Sequence, residues 1–100
     1  MFEVYENQRH FPVAGWGSKL LPTDRDNWTN MSGTVKVPAK DDTQLPAHWT
    51  WVSPWTVSTA EGDDEGWEYA IDFPASYHPE NRMDRSVRRR AWRRVAMHDE

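Results

Sequence analysis

Apolar and polar positions alternate with a period of two in several stretches of this chain, and that period predicts strands. In Phe2-Glu-Val-Tyr-Glu-Asn7, Phe2 and Val4 share one side. In Gly66-Trp-Glu-Tyr-Ala-Ile-Asp-Phe73, the clearest case, Trp67, Tyr69, Ile71 and Phe73 point one way, and Glu68, Ala70 and Asp72 the other. His48 to Val57 places Trp49 and Trp51 on one face, with Pro54 marking an edge, bulge or bend. Between these stretches, Pro12, Gly15 and Gly17 break the pattern around Trp16. Leu20 to Trp28 reads as an ordered loop in which Thr23 or Asp24 closes an Asx-type turn or caps a short helical turn. Met31 to Leu45 is polar, with Gly33, Pro38 and Asp41-Asp42, and is expected to be flexible. Glu61 to Gly66 is a turn by composition.

One stretch has two periods at once. Arg82 to Arg94 holds seven of the nine arginines. As a strand, it puts Val87, Arg89, Ala91, Arg93 and Val95 on one face and Arg88, Arg90, Trp92 and Arg94 on the other. As a helix, it stacks Val87, Ala91 and Val95 at i, i+4, and arginine is a good helix former. Period alone leaves both open.

Composition sharpens the fold class. One hundred residues make one domain, and only 37% are hydrophobic. The apolar surface comes instead from seven Trp, three Tyr and three Phe. Each buried aromatic removes roughly 150–250 Å² from water, so about ten replace a Leu/Ile core. Simple disorder is excluded, because it needs few aromatics. The chain has no cysteine, which favours a reducing compartment for a domain this small. Asn27-Trp-Thr29 and Asn30-Met-Ser32 match the glycosylation sequon, by chance if the chain is cytoplasmic. No apolar run approaches the ~18 residues of a membrane span, and no signal peptide is visible. Met1, followed directly by strand-like sequence, is expected to be a boundary inside a larger protein.

Charge bears on the arginine run. Residues 1–80 carry 5 Lys/Arg and 13 Asp/Glu, whereas residues 81–100 carry 7 and 3. The two parts should attract, so the run is not a free polybasic tail. Nucleic acid is disfavoured, since such domains usually have a pI above about 9 and this chain has a pI near 5.5. The run contains no lysine, and the chain uses nine Arg but three Lys. A guanidinium stacks on aromatic faces and binds carboxylates through a fixed fork, which an ammonium does not. The bias therefore favours arginines turned inward onto tryptophans.

Catalytic and metal signatures are missing. His10, His48, His78 and His98 stand at no metal-binding spacing. Asp63-Asp-Glu-Gly66 lacks the order of a calcium loop and reads as a hairpin turn. There is no nucleophile elbow and no phosphate loop. Glu6, Glu68 and Asp72 could form a carboxylate pair, but strand carboxylates opposite arginines are more often structural partners. The expectation is a non-enzyme without cofactors.

The motifs together resemble a known family. Val4-Tyr-Glu-Asn-Gln-Arg9, Gly15-Trp16 and Leu21-Pro-Thr-Asp-Arg25 with Trp28 look like the N-terminal half of a dysferlin (DysF) domain, about residues 2–30. Trp49-x-Trp51, Trp55, Gly66-Trp-Glu-Tyr-Ala-x-Asp-Phe73 and Val87-Arg-Arg-Arg-x-Trp92 resemble its C-terminal half, about residues 48–96. The resemblance covers a single domain over residues 1–100. Such domains occur in ferlins, in tectonin β-propeller repeat proteins and in fungal peroxisomal membrane proteins. Leu-Pro-Thr-Asp-Arg25 and Phe73-Pro-Ala-Ser-Tyr-His78 look closer to the tectonin branch.

The resemblance implies an all-β, antiparallel, sandwich-like domain with long strands and Arg–Trp stacking in place of a conventional core. It makes the arginine run a strand lying near Val4-Tyr5. Arg9, Arg25, Arg88, Arg89, Arg90 and Arg93 would form the stacked framework with Trp16, Trp28, Trp49, Trp51, Trp55, Trp67 and Trp92. In the tectonin branch the domain is associated with sphingomyelin exposed on the cytosolic face of damaged organelles and with autophagy-related repair. That implies a cytoplasmic module at the cytosolic face of membranes, monomeric when isolated, with a membrane lipid or neighbouring domains as partner and no nucleic acid. The lipid-contacting candidates are Tyr77, Arg82, Met83 and Arg85, with Met83 where an aromatic would anchor more strongly at an interface. The alternative implied by ferlins is a purely structural or protein-docking module of a vesicle-fusion or membrane-repair protein.

Overall fold

A computed structural model describes residues 1–74 and 76–99. The domain is all-β and antiparallel, with one 3₁₀ turn at Lys40–Asp42. Its strands are β1 (Phe2–Phe11), β2 (Gly15–Gly17), β3 (Trp28–Thr29), β4 (Trp49–Trp51), β5 (Thr56–Val57), β6 (Glu68–Ala70), β7 (Val87–Arg94) and β8 (Ala96–His98). The arginine run is thus a strand, as the resemblance implied. β1 and β7 pair over eight residues, from Phe2↔Arg94 to Arg9↔Val87, and form the axis of a six-stranded sheet. Each is lined on its far side by two short strands. β2 and β3 pair with β1, and β5 and β6 with β7. β4 and β8 form a separate two-stranded ribbon. The molecule is elongated and measures 51 × 28 × 22 Å.

Register fixes two unlike faces, because successive side chains on a strand point to opposite sides. Even-numbered residues of β1 and β7 share one face: Phe2, Val4, Glu6 and Gln8 lie opposite Arg94, Trp92, Arg90 and Arg88. Odd-numbered residues share the other: Glu3, Tyr5, Asn7 and Arg9 lie opposite Arg93, Ala91, Arg89 and Val87. The buried apolar set is small and comprises Val4, Tyr5, Trp67, Tyr69, Ala70, Val87 and Ala91. Asn7, Arg9 and Thr29 are buried with it.

Three expectations are revised by the structure. The strand predicted to run to Phe73 ends at Ala70, and Ile71 is 63% exposed. Asp72 turns the chain there, its Oδ1 accepting from the backbone N of Phe73 at 2.8 Å and from Arg9 Nη2 at 2.7 Å. Phe73 therefore packs against Arg25 and Arg9, away from Trp67 and Tyr69. The segment from Met31 to Leu45, expected to be flexible, follows a defined path. Asn30 Oδ1 accepts from the backbone N of Thr34 and Val35, Lys36 bridges to Thr29, and Lys40 reaches Trp92. β1 runs to Phe11, four residues past its predicted end, because β2 folds back on it.

Two turns are organised by single aspartates. Asp24 Oδ2 accepts from Leu21 N at 2.8 Å and closes the 21–24 turn. Asp63 Oδ1 accepts from Glu65 N and Trp67 N, both at 2.9 Å, and its Oδ2 from the Tyr69 hydroxyl at 2.7 Å. Gly66 follows with φ +86°, and a Cβ there would meet Ser58 O at 2.6 Å. No other residue fits that turn without strain.

Candidate functional site

The even face carries a ladder of alternating rings and cations. Arg88 lies between Trp16 and Trp67, with its guanidinium carbon 4.7 and 3.9 Å from the ring centroids. Arg90 lies between Trp67 and Trp92, at 4.2 and 4.9 Å. Lys40 closes the far end over Trp92 at 4.8 Å. Hydrogen bonds fix each rung from its edge. Gln8 Oε1 accepts from Arg88 Nε and Nη2 at 2.9 and 2.6 Å, and Glu6 Oε1 accepts from Arg90 Nε at 2.7 Å and Trp92 Nε1 at 2.9 Å. Burial depresses the Arg88 pKa, and the Tyr69 hydroxyl opposes that shift. Beyond the ladder, Arg94 stacks on Trp51 at 4.3 Å, and Trp51 packs edge-on to Phe2 and tilted against Trp55.

The odd face uses tyrosine and phenylalanine instead. Arg89 is held between Tyr77 at 3.8 Å and Tyr5 at 5.1 Å, with Glu68 at 3.2 Å. Arg25 lies 4.5 Å from the Phe73 centroid. Arg9 grips Asp24 with two hydrogen bonds of 2.7 Å and Asp72 with a third. Arg93 pairs with Glu3 at 2.6 Å and is more exposed.

The expected framework therefore divides. Arg88, Arg90, Trp16, Trp67 and Trp92 come together in the ladder, whereas Arg9, Arg25 and Arg89 reach other aromatics. Among the described residues, no cation lies over Trp28, Trp49 or Trp55, and Arg93 meets no ring. Arg94, absent from the expected set, is stacked; its even parity with Arg88 and Arg90 was the available signal. Lys40 and Phe73 had no local signal.

Because the fork and the stack are both geometric, Arg90→Lys should destabilise although charge is kept. A loss near 1 kcal/mol would lower the thermal midpoint by about 4–8 °C in a domain of this size. An unchanged midpoint would remove the stack from the list of stabilising features.

Acid should unfold the domain through the two turn aspartates. The Arg9 hydrogen bond holds Asp24 below the ordinary carboxylate value of 3.8, against the opposing effect of burial. At Asp63 burial alone would raise the pKa, but hydrogen bonds from Tyr69, Trp67 and Glu65 together outweigh it and hold the carboxylate low. The unfolded chain thus binds these protons more readily than the folded one. The stability they contribute is present above 3.8 and is lost as pH falls below it, through the depressed folded values. Thermal midpoints that stay level from about pH 6 to about pH 3 would contradict this.

The lipid candidates separate into two places. Arg82, Met83 and Arg85 lie in the loop entering β7 and, with His10, Trp16 and Asn81, line a cleft of about 380 Å³. Met83 is fully exposed at the loop tip. Arg85 is mostly buried: it pairs with Glu80 at 3.5 Å and donates to the Glu80 carbonyl, so it closes the loop. Tyr77 is elsewhere, on the odd face against Arg89, with its hydroxyl buried. The β1–β2 hairpin tip flanks the same cleft, since His10 and Trp16 belong to it. There Val13 is fully exposed at φ 71°, a conformation unfavourable for a β-branched residue. One end of the β1–β7 pair thus presents two apolar tips, Val13 and Met83, around a cleft with exposed Arg82 on its rim. Sequence reasoning missed Val13, which no pattern marks.

Residues 1–94 match the family model described as "Pex24p: Integral peroxisomal membrane peroxin". The chain belongs to the Pex24p family. Relatives include tectonin beta-propeller repeat-containing protein 1 of Gallus gallus and of Homo sapiens, each 50% identical over 95 residues, or 91% of this chain. The tectonin beta-propeller repeat-containing protein of Drosophila melanogaster is 43% identical over 94 residues, again 91% of this chain. The chain spans only 7–8% of the length of these relatives. It is one module's worth of much larger proteins. No helix among the described residues is long and apolar enough to cross a membrane.

Proposed function

We propose that this Pex24p-family chain is a non-catalytic module of dysferlin type that docks on the cytosolic face of membranes. The 81–85 loop meets the lipid, with sphingomyelin as the headgroup class, in the service of membrane repair, the damaged-organelle response or autophagy. The observation that carries this reading is Met83, 107% exposed beside Arg82 and a cleft walled by Trp16 and His10. An apolar loop tip beside an arginine suits a membrane interface, where the apolar part enters and the guanidinium stays with the headgroups. Arg82 is placed to meet a lipid phosphate. Val13, on the neighbouring tip, gives a second apolar point, so the end can seat on a plane. Membership of a family of peroxisomal membrane peroxins supports a role at a membrane.

The test is flotation with phosphatidylcholine vesicles with and without sphingomyelin. Retention on the sphingomyelin vesicles, lost in Met83→Asp, is expected. Equal retention on both, or full retention of the variant, would end the proposal. Because Met83 packs against little, the variant should keep its thermal midpoint.

A second reading is favoured by the opposite end of the molecule. The β4–β8 ribbon exposes Trp49 and Met97, and Val52 and Val95 are exposed beside it, by 39 to 58%. Those residues suit docking against neighbouring domains of a parent protein. Binding that depends on Trp49 and Met97, with no vesicle retention, would favour this structural role.

A further inference from the structure

The odd face carries a second hollow that the lipid reading does not use. Its volume is about 580 Å³, and its lining includes Arg25, Arg89, Tyr77, Ser32, Met31 and Pro74. Arg25 and Arg89 both line it, and among the described residues no carboxylate does, in a chain with 16 acidic residues against 12 basic ones. Arg89 is engaged on two sides, by Glu68 at 3.2 Å and by the Met31 carbonyl at 2.9 Å. Arg25 is not: among the described residues it forms no ion pair.

Arg25 is nevertheless held in place. Its guanidinium sits between the Phe73 ring, at 4.5 Å, and the backbone of Gly33, where the missing Cβ leaves the space that the guanidinium fills. Gly33 has φ +76°, so the turn that creates this space also demands glycine. A guanidinium fixed between a ring and a backbone has little freedom left to lose when an anion arrives. A solvated surface arginine has no such seat.

We infer that this hollow binds the carboxylate of an acidic peptide segment, with Arg25 as the primary ligand and Arg89 beside it. The planar fork matches a carboxylate with two parallel hydrogen bonds. Met31, 59% exposed, and Pro74 form an apolar lip that suits the methylenes of a glutamate side chain. The cleft beside Met83 is walled by Trp16, which packs on even-face Arg88, whereas this hollow is floored by odd-face Arg89. The two openings are on opposite faces of the sheet, so a peptide held here is compatible with a membrane at the loop end.

The experiment follows the side-chain Nε–H resonances of the isotope-labelled 100-residue chain during titration with an N-acetylated, C-amidated Gly-Glu-Glu-Gly peptide. Saturable shifts at Arg25 and Arg89 are expected, and none with the Gly-Gln-Gln-Gly counterpart. Ser32→Asp places a carboxylate on the exposed lip and should weaken binding by about tenfold or more, through like-charge repulsion. Arg25→Lys should weaken it too, and an unchanged Trp67 indole resonance reports that both variants are folded. The inference fails if the two peptides act alike, if no resonance moves, or if Ser32→Asp binds as well as the parent. It also fails if phosphatidylserine vesicles shift these resonances while the glutamate peptide does not, which would give the hollow to a lipid phosphate.

Discussion

Trp67→Ala is expected to cost about 3–5 kcal/mol, the usual range for removing a buried indole. Trp67 is 3% exposed and is the central ring of the ladder, with Arg88 on one side and Arg90 on the other. Truncation opens a cavity and leaves both guanidinium groups without the ring between them. Small domains have a stability of only about 5–15 kcal/mol, so a large part would be lost in one step. Equilibrium urea unfolding of the variant and the parent measures the difference. A loss below about 1 kcal/mol would mean that the ladder is incidental to stability.

The second large effect is expected at Arg9. It is 8% exposed and, among the described residues, is the only cation paired with Asp24, whose own side chain is 6% exposed. Arg9→Met keeps much of the packing volume but leaves the buried Asp24 carboxylate with the Leu21 N–H and no ion-pair partner, and breaking a buried pair typically costs about 3–5 kcal/mol. The variant also has a signature that a simple packing defect lacks. The Arg9 hydrogen bond is the leading cause of the low Asp24 pKa. Without it, the stability of Arg9→Met should fall less steeply below 3.8 than that of the parent. Parallel pH profiles for the two proteins would contradict the role assigned to the pair.

Much of the sheet was legible because its information is local. Alternation marks β1, and the charges of β1 and β7 are complementary in register: Glu3 faces Arg93 and Glu6 faces Arg90. Period could not choose strand over helix for the arginine run, since Val87, Ala91 and Val95 satisfy both. The choice came from resemblance, and the pairing with β1 supplies its physical reason. What was not legible is long-range. The chain leaves the β6 pattern after Ala70 because Asp72 meets Arg9, 63 residues earlier. Lys40 joins the ladder from a polar segment with no periodicity of its own. Tyr77 was grouped with Met83 through the resemblance, but it stacks on Arg89, on the odd face. At the loop end Met83 was found through the family pattern, while Val13 is marked only by its backbone and its exposure.

The pairing of β1 with β7 also bears on how the domain is made. The axis of the sheet joins residues 2–9 to residues 87–94, so its two strands come from opposite ends of the chain. Every short strand of the main sheet hydrogen-bonds to one of these two. During synthesis, β1 would wait for nearly the whole domain to emerge before its partner exists. Closing so long a loop is entropically unfavourable, and folds dominated by such distant contacts form slowly. Until β7 arrives, β2 and β3 can fold back on β1, but the tryptophans at 16 and 67 have no guanidinium rungs between them. The segment from Val87 onward therefore converts a loose acidic, aromatic-rich precursor into the folded module, and a nascent chain stopped before Val87 should remain sensitive to protease.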